Sequence, residues 1–159
     1  MFDLHTFTII HTAISLAALV AGLLLLTGLA AGRLLPGLGT LTILLLVLTS
    51  ATGFGFPFVK FLPSHAFGIL SLAVLALTVW ARWGKQLAGG WRSAYGMGLS
   101  FAVYLDAFVG VVQAFLKVPA LTAIAPTQQS PGFIVAQGVL LLAFVALGVA
   151  VVRGQRRVA

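Results

Sequence analysis

The fold class is decided by residues 7–31, FTIIHTAISLAALVAGLLLLTGLAA, a run without an acidic residue, lysine or arginine. A helix needs about 20 mostly apolar residues to cross the hydrocarbon core of a bilayer. The run is longer than the core of a cleavable signal peptide, which is about 7–15 residues, and it follows Asp3 and His5 rather than a basic leader. The stretch therefore predicts a transmembrane helix and no cleavable signal.

The rest of the chain has the same character. Hydrophobic residues make up 61% of its 159 positions and charged residues only 7%, which is too little charge to cover the surface of a soluble domain. Glycines and prolines separate the apolar runs, as helix ends require. The sequence predicts one all-α membrane domain over residues 1–159, an integral bundle of five transmembrane helices at about 7–31, 38–58, 64–83, 94–116 and 132–152.

The distribution of basic residues predicts how this bundle is oriented. The gaps on one side hold Arg33, Arg82, Lys85, Arg92, Arg153, Arg156 and Arg157, and the other side holds Lys60 and Lys117. The positive-inside rule assigns the richer side to the cytoplasm. We therefore expect the N-terminus outside and the C-terminus in the cytoplasm, in the inner (plasma) membrane of a bacterial-type cell. The net charge of +7 thus reflects membrane orientation, and no nucleic-acid partner is expected.

Residue types that are missing from the sequence narrow the functions. The chain has no cysteine, which excludes disulfides, thiolate metal sites, iron–sulfur clusters and cysteine nucleophiles. Nucleophile motifs, phosphate loops and carboxylate pairs are also missing, so hydrolase and kinase activities have little support.

One of the two acidic residues lies inside the fourth predicted helix, in YLDAFVGVVQAFLK, residues 104–117. Asp106, Gln113 and Lys117 are spaced +7 and +11, so they share a helix face, which we expect to point into the bundle. Asp106 lies about 16 Å below Lys117, where a charged carboxylate costs at least about 2.5–3.5 kcal/mol. We therefore expect a neutral carboxyl that is either hydrogen-bonded within the bundle or used as a proton carrier. Its candidate hydrogen-bond partners are Thr49, Ser15 and backbone carbonyls.

The first helix carries a stripe of small residues below a histidine. His11, Ser15, Ala18 and Gly22 fall on one face, and small residues allow helices to pack closely in lipid. The histidine at the outer end of the stripe either bonds a neighbouring backbone carbonyl or serves as a ligand or proton carrier.

Two histidines on different helices suggest a cofactor site. His11 and His65 are expected at similar depth near the outer face, and two imidazoles are the minimum for ligating haem b. His5 would complete a three-histidine copper or zinc site. Against this, His5 and His11 are six residues apart, which places them on different faces of a helix.

The polar residues near the outer face suggest a pocket for a small, partly apolar molecule such as a quinone. Its lid would be KVPALTAIAPTQQSP, residues 117–131. Its lining would be His11, His65, Asp106, Gln113 and Gln137.

Residues 104–137, YLDAFVGVVQAFLKVPALTAIAPTQQSPGFIVAQ, resemble a recurring segment of small, uncharacterised, multi-spanning bacterial membrane proteins. The family pattern usually has asparagine where this chain has Asp106, which implies that hydrogen bonding rather than proton transfer is needed there. The resemblance implies a class of membrane protein and no mechanism. A weaker likeness to b-type membrane cytochromes rests only on histidines near one face.

Three functions remain open at this point. The first is a small-molecule or cofactor site, for a quinone or haem b, in or beside an electron-transfer system. The second is a small-molecule transporter. The third is an accessory subunit that packs into a homo-oligomer or a larger membrane complex through its small-residue faces.

Overall fold

The computed structural model describes residues 3–57 and 63–158. Of these described residues, 83% are helical and none lies in a strand. The helices are α1 (Leu4–Ala30), α2 (Pro36–Gly53), α3 (Pro63–Val79), α4 (Trp91–Lys117), α5 (Pro119–Ile124) and α6 (Pro131–Arg156). A π-helical turn, Trp80–Gly84, extends α3. The all-α prediction is confirmed. Among the described residues, five helices are long and apolar enough to cross a membrane, which supports a multi-pass membrane protein.

Proline marks the start of four of these helices. Pro36, Pro63, Pro119 and Pro131 each begin one, where the missing N–H is unpaired in any case and the fixed φ suits the first turn. The second helix ends at Gly53, before the predicted end at residue 58, in a stretch rich in glycine and proline. Phe58 and Lys60, which the predicted topology used, lie outside the described residues.

The central helix of the bundle is α4, which contacts all the other helices. Around it, α1 packs against α2 and α6, and α2 packs against α3. The predicted small-residue stripe of α1 does face inward: Ala18 is fully buried, and a Cβ at Gly22 would lie 2.6 Å from the Val103 side chain. Close approach of α1 and α4 is therefore the reason for glycine at this position.

The antiparallel order divides the bundle into two halves. The "histidine half" contains the starts of α1, α3 and α6, the ends of α2 and α4, and the residues His5, His11, His65, Asp106 and Lys117. The "arginine half" contains the opposite helix ends and the residues Arg33, Arg82, Lys85, Arg92, Arg153, Arg156 and Arg157.

Two hydrogen-bond networks fasten the arginine half. Arg82 donates to the Tyr95 hydroxyl at 2.9 Å, to the Pro36 carbonyl at 2.6 Å and to the Thr40 hydroxyl at 3.0 Å. A single guanidinium thus ties α2, the π turn and α4 together, which a point-charge ammonium would do less well.

The second network joins α4, α6 and α1 through Gln155, which is fully buried. Arg92 Nε donates to its Oε1 at 2.8 Å, and its Nε2 donates to the Leu29 carbonyl at 2.7 Å. The neighbouring Gly154 lies against the backbone carbonyls of Leu29 and Ala30, where a Cβ would clash. The end of α6 is therefore locked onto the end of α1.

Candidate functional site

Asp106 bonds to the first helix. The Ser15 hydroxyl donates to Asp106 Oδ1 at 2.8 Å, so one of the three partners proposed from the sequence is the observed one. The second oxygen, Oδ2, is buried and has no hydrogen-bond partner among the described residues. An unsatisfied buried polar atom costs about 1–3 kcal/mol, and it requires an explanation.

His11, one turn before Ser15 on α1, bonds to the end of α2. Its Nδ1 lies 2.8 Å from Thr52 Oγ1. The Thr52 hydroxyl has one proton, and it donates it to its own helix, to the Leu48 carbonyl at 2.7 Å. With that proton on its own helix, the Thr52 oxygen accepts from His11, and this arrangement corresponds to the tautomer with the proton on Nδ1 and a lone pair on Nε2.

Two further buried atoms of the histidine half lack partners within the described residues. They are Oγ1 of Thr49, one turn below Thr52 on α2, and Oε1 of Gln137 on α6. Gln137 does use its amide nitrogen, which donates to the Phe108 carbonyl at 3.2 Å. Together with Asp106, three helices therefore present buried oxygens that no group in the described part of the chain satisfies.

The three histidines have separate environments. His65 is buried, and its ring lies 6.0 Å from that of Phe54, whereas His11 packs edge-on against Phe56 at 5.1 Å. His5 is exposed on the outer side of α1. Within residues 3–57 and 63–158, no three His, Asp or Glu side chains come close enough together to hold a metal ion, so the proposed three-histidine arrangement is not assembled there.

Gln113 differs from the prediction. It shares a helix face with Asp106 by spacing, but its side chain is exposed, as is Gly110 between them. The expectation that the whole Asp106–Gln113–Lys117 face would point into the bundle is wrong for Gln113 and for Lys117, which is also exposed.

The segment proposed as a lid contains the short α5, and its Thr122 hydroxyl donates to the Phe115 carbonyl at 2.7 Å, which anchors it to the end of α4.

A groove of about 400 Å³ lies on the outer side of α1 in the histidine half. Of the residues proposed from the sequence, only His5 lines it, together with Lys117 at the end of α4. Its full lining is His5, Thr8, Ile9, Thr12, Ala13, Leu16 and Lys117.

The structural role of the polar residues in the arginine half was not predicted from the sequence. Gln155 stands in the basic segment RGQRR, where a glutamine looks solvent-exposed, and Tyr95 looks like an interfacial aromatic. The glycine before Gln155 was the available signal, because glycine near a helix end in lipid often marks a close approach of backbones.

Comparison of the chain with protein-family models, curated proteins and solved structures finds no match.

Proposed function

We propose that this protein binds a small, largely apolar molecule of the quinone type in its histidine half, in or beside a membrane electron-transfer system. The observation that carries the proposal is Asp106, whose Oδ1 accepts from Ser15 while the buried Oδ2 has no partner in the described part of the chain. Intramembrane carboxyls are costly and usually functional.

The protonation pattern indicates the chemistry of the ligand. In a neutral carboxyl, the oxygen that accepts from Ser15 is the carbonyl oxygen, so the proton belongs on Oδ2. That O–H group needs an acceptor, which a ligand carbonyl would provide. On the same face of α1, His11 Nε2 offers a lone pair to a donor. A quinone accepts through its carbonyls and, when reduced, donates through its hydroxyls, so it matches both groups.

Haem b is the alternative cofactor for the same half. His11 fits the role of a ligand, because its Nδ1–H is held by Thr52 and its Nε2 is available. His65 would be the second ligand.

An absorption spectrum of the purified protein, taken before and after reduction, separates these two cofactors. We expect quinone in an organic extract of the protein and no low-spin b-type bands. Bands of that kind that disappear in His65→Ala would identify haem b, and not a quinone, as the cofactor. A preparation that contains neither cofactor would reject the proposal.

Asp106 variants test the site directly. Asp106→Asn keeps an N–H donor in place of the O–H, so we expect quinone content near that of the unmodified protein. Asp106→Leu removes donor and acceptor, and we expect at least about a tenfold loss of bound quinone. The matched control is Asp3→Asn, which changes the other acidic residue at an exposed position. A folded Asp106→Leu protein with full quinone content would overturn the proposal.

The proposal includes an orientation, with the histidine half at the outer face of a bacterial-type plasma membrane and the arginine half in the cytoplasm. It is supported by the seven basic residues of the arginine half. We expect a reporter fused after residue 159 to be active only as a cytoplasmic reporter, and a tag before residue 2 to be accessible from outside. Both termini on one side would contradict five spans.

A second candidate function, an accessory subunit, is favoured by the exposed Gln113. Lipid offers no partner to an amide, whereas another helix does, and the adjacent Gly110 leaves room for it because a Cβ there would meet nothing within 4 Å. Cross-linking from a cysteine introduced by Gln113→Cys would capture a neighbouring chain under this alternative, and capture of none would reject it.

A further inference from the structure

The groove on the outer side of α1 has a polar mouth and an apolar floor. His5 and Lys117 lie at the mouth, near the ends of α1 and α4. Ile9, Ala13 and Leu16 continue the groove down the helix, and Leu16 lies about 16 Å below His5 at 1.5 Å per residue. The Thr8 hydroxyl donates to the Leu4 carbonyl at 2.8 Å, so it leaves its methyl group to the groove.

Lys117 brings a positive charge to this mouth, and Asp3, which lies at the start of α1, is not ion-paired with it in the described structure. The lysine is exposed, and among the described residues no acidic side chain forms an ion pair with it. The only acidic residues in the chain are Asp3 and Asp106. Asp106 lies about 16 Å deeper along α4, where its Oδ1 is occupied by Ser15.

We propose that this groove binds one anionic phospholipid, with the acyl chain along Ile9, Ala13 and Leu16 and the phosphate at Lys117. The lining of the groove does not include Asp106, Ser15 or His11, which belong to the proposed quinone site.

Charge decides which lipid fits. A zwitterionic lipid also has a phosphate, but its choline or ethanolamine cation would lie near Lys117 and be repelled. An anionic headgroup keeps the full attraction to the ammonium, which is poorly screened at the edge of the hydrocarbon region.

Native mass spectrometry of the full chain tests the proposal. The protein is delipidated in detergent and mixed with equal amounts of phosphatidylglycerol and phosphatidylcholine that carry the same acyl chains. We expect preferential retention of phosphatidylglycerol. Lys117→Gln should reduce that retention about fivefold and leave phosphatidylcholine retention unchanged. Ala13→Trp, which fills the groove at an exposed position, should remove the retained phosphatidylglycerol.

The matched control is Lys85→Gln, which removes an exposed lysine from the arginine half. It should not change retention if the lipid is held at Lys117. Equal losses in the two lysine variants would show attraction to overall charge, and unchanged retention in Lys117→Gln would show that the groove is not the site. Either result overturns the proposal. Retention of oleate to the same extent as phosphatidylglycerol would also overturn it, and so would a protein dimer that dissociates in Ala13→Trp.

Discussion

Gln155 in the arginine half and Asp106 in the histidine half are both polar side chains inside an apolar bundle, yet they differ in how their atoms are satisfied. Both polar atoms of Gln155 are bonded, one to Arg92 and one to the Leu29 carbonyl. Asp106 uses one oxygen for Ser15 and leaves the other buried without a partner in the described structure.

The same contrast extends to the neighbours of these residues. Arg82 finds three acceptors on two helices, whereas Thr49 and Gln137 each have a buried oxygen without a partner among the described residues. In a low-dielectric interior, satisfied networks stabilise a unique arrangement, and unsatisfied groups lower stability unless a ligand completes them. The arginine half is thus the more completely hydrogen-bonded of the two, and under the function proposed above a ligand would complete the histidine half.

The largest effect is expected at Gln155. Gln155→Leu removes two hydrogen bonds, one of them from a charged guanidinium, and leaves Arg92 and the Leu29 carbonyl unpaired. We expect the free energy of unfolding to fall by about 3–4 kcal/mol, measured by denaturant titration in detergent. Gln128→Leu, in an exposed loop position, is the control and should have little effect. Equal stability of both variants would remove the contrast between the halves.

At Asp106 we expect a smaller loss of stability in the ligand-free protein. Asp106→Leu deprives Ser15 of its acceptor but also removes the unpaired Oδ2, so the cost should be about 1 kcal/mol. Asp106→Asn keeps an acceptor for Ser15 and should lie within about 0.5 kcal/mol of the unmodified protein. The same titration measures both, and a larger loss for asparagine would mean that the carboxyl itself is required for folding.

Thr49 offers a test in which the sign of the effect changes. Thr49→Val removes a buried, unpaired hydroxyl from a side chain of the same shape, so we expect a gain of about 0.5 kcal/mol. The control, Thr42→Val, removes a hydroxyl that donates to the Leu38 carbonyl at 2.8 Å, and it should lower stability by a similar amount. Thermal unfolding of the two variants in parallel measures both changes. A loss of stability in both variants would mean that the Thr49 hydroxyl is hydrogen-bonded in the folded protein.

The smallest effect is expected at Gln113. Because its side chain is exposed in the single chain, Gln113→Leu should change the free energy of unfolding by less than about 0.5 kcal/mol. Leu116→Ala, at a neighbouring exposed position, is the control for altered contact with lipid or detergent. A marked, concentration-dependent loss in the glutamine variant alone would indicate that Gln113 packs against another chain.

The sequence by itself determined the all-α class and the number and approximate positions of the membrane-length helices found in the described residues, but not the short α5. These depend on local properties, namely apolar runs long enough for a bilayer and prolines at helix starts such as Pro36 and Pro131. It also indicated that Asp106 needs a partner inside the bundle, since a carboxyl at that depth cannot remain unpaired without cost. Ser15 was one of its candidate partners, together with Thr49 and backbone carbonyls.

Only the tertiary structure decided which helix faces each polar group and whether that group is covered. Sequence spacing fixes the direction of a side chain around its own helix. It does not fix whether another helix lies opposite that side chain at the same depth, which is why Gln113 is exposed although Asp106 is not. Gln155 shows the converse: within a basic segment it looks solvent-exposed, yet close approach of Gly154 to the end of α1 buries it completely. The contacts of both residues depend on pairs of helices distant in sequence, so local patterns do not contain them.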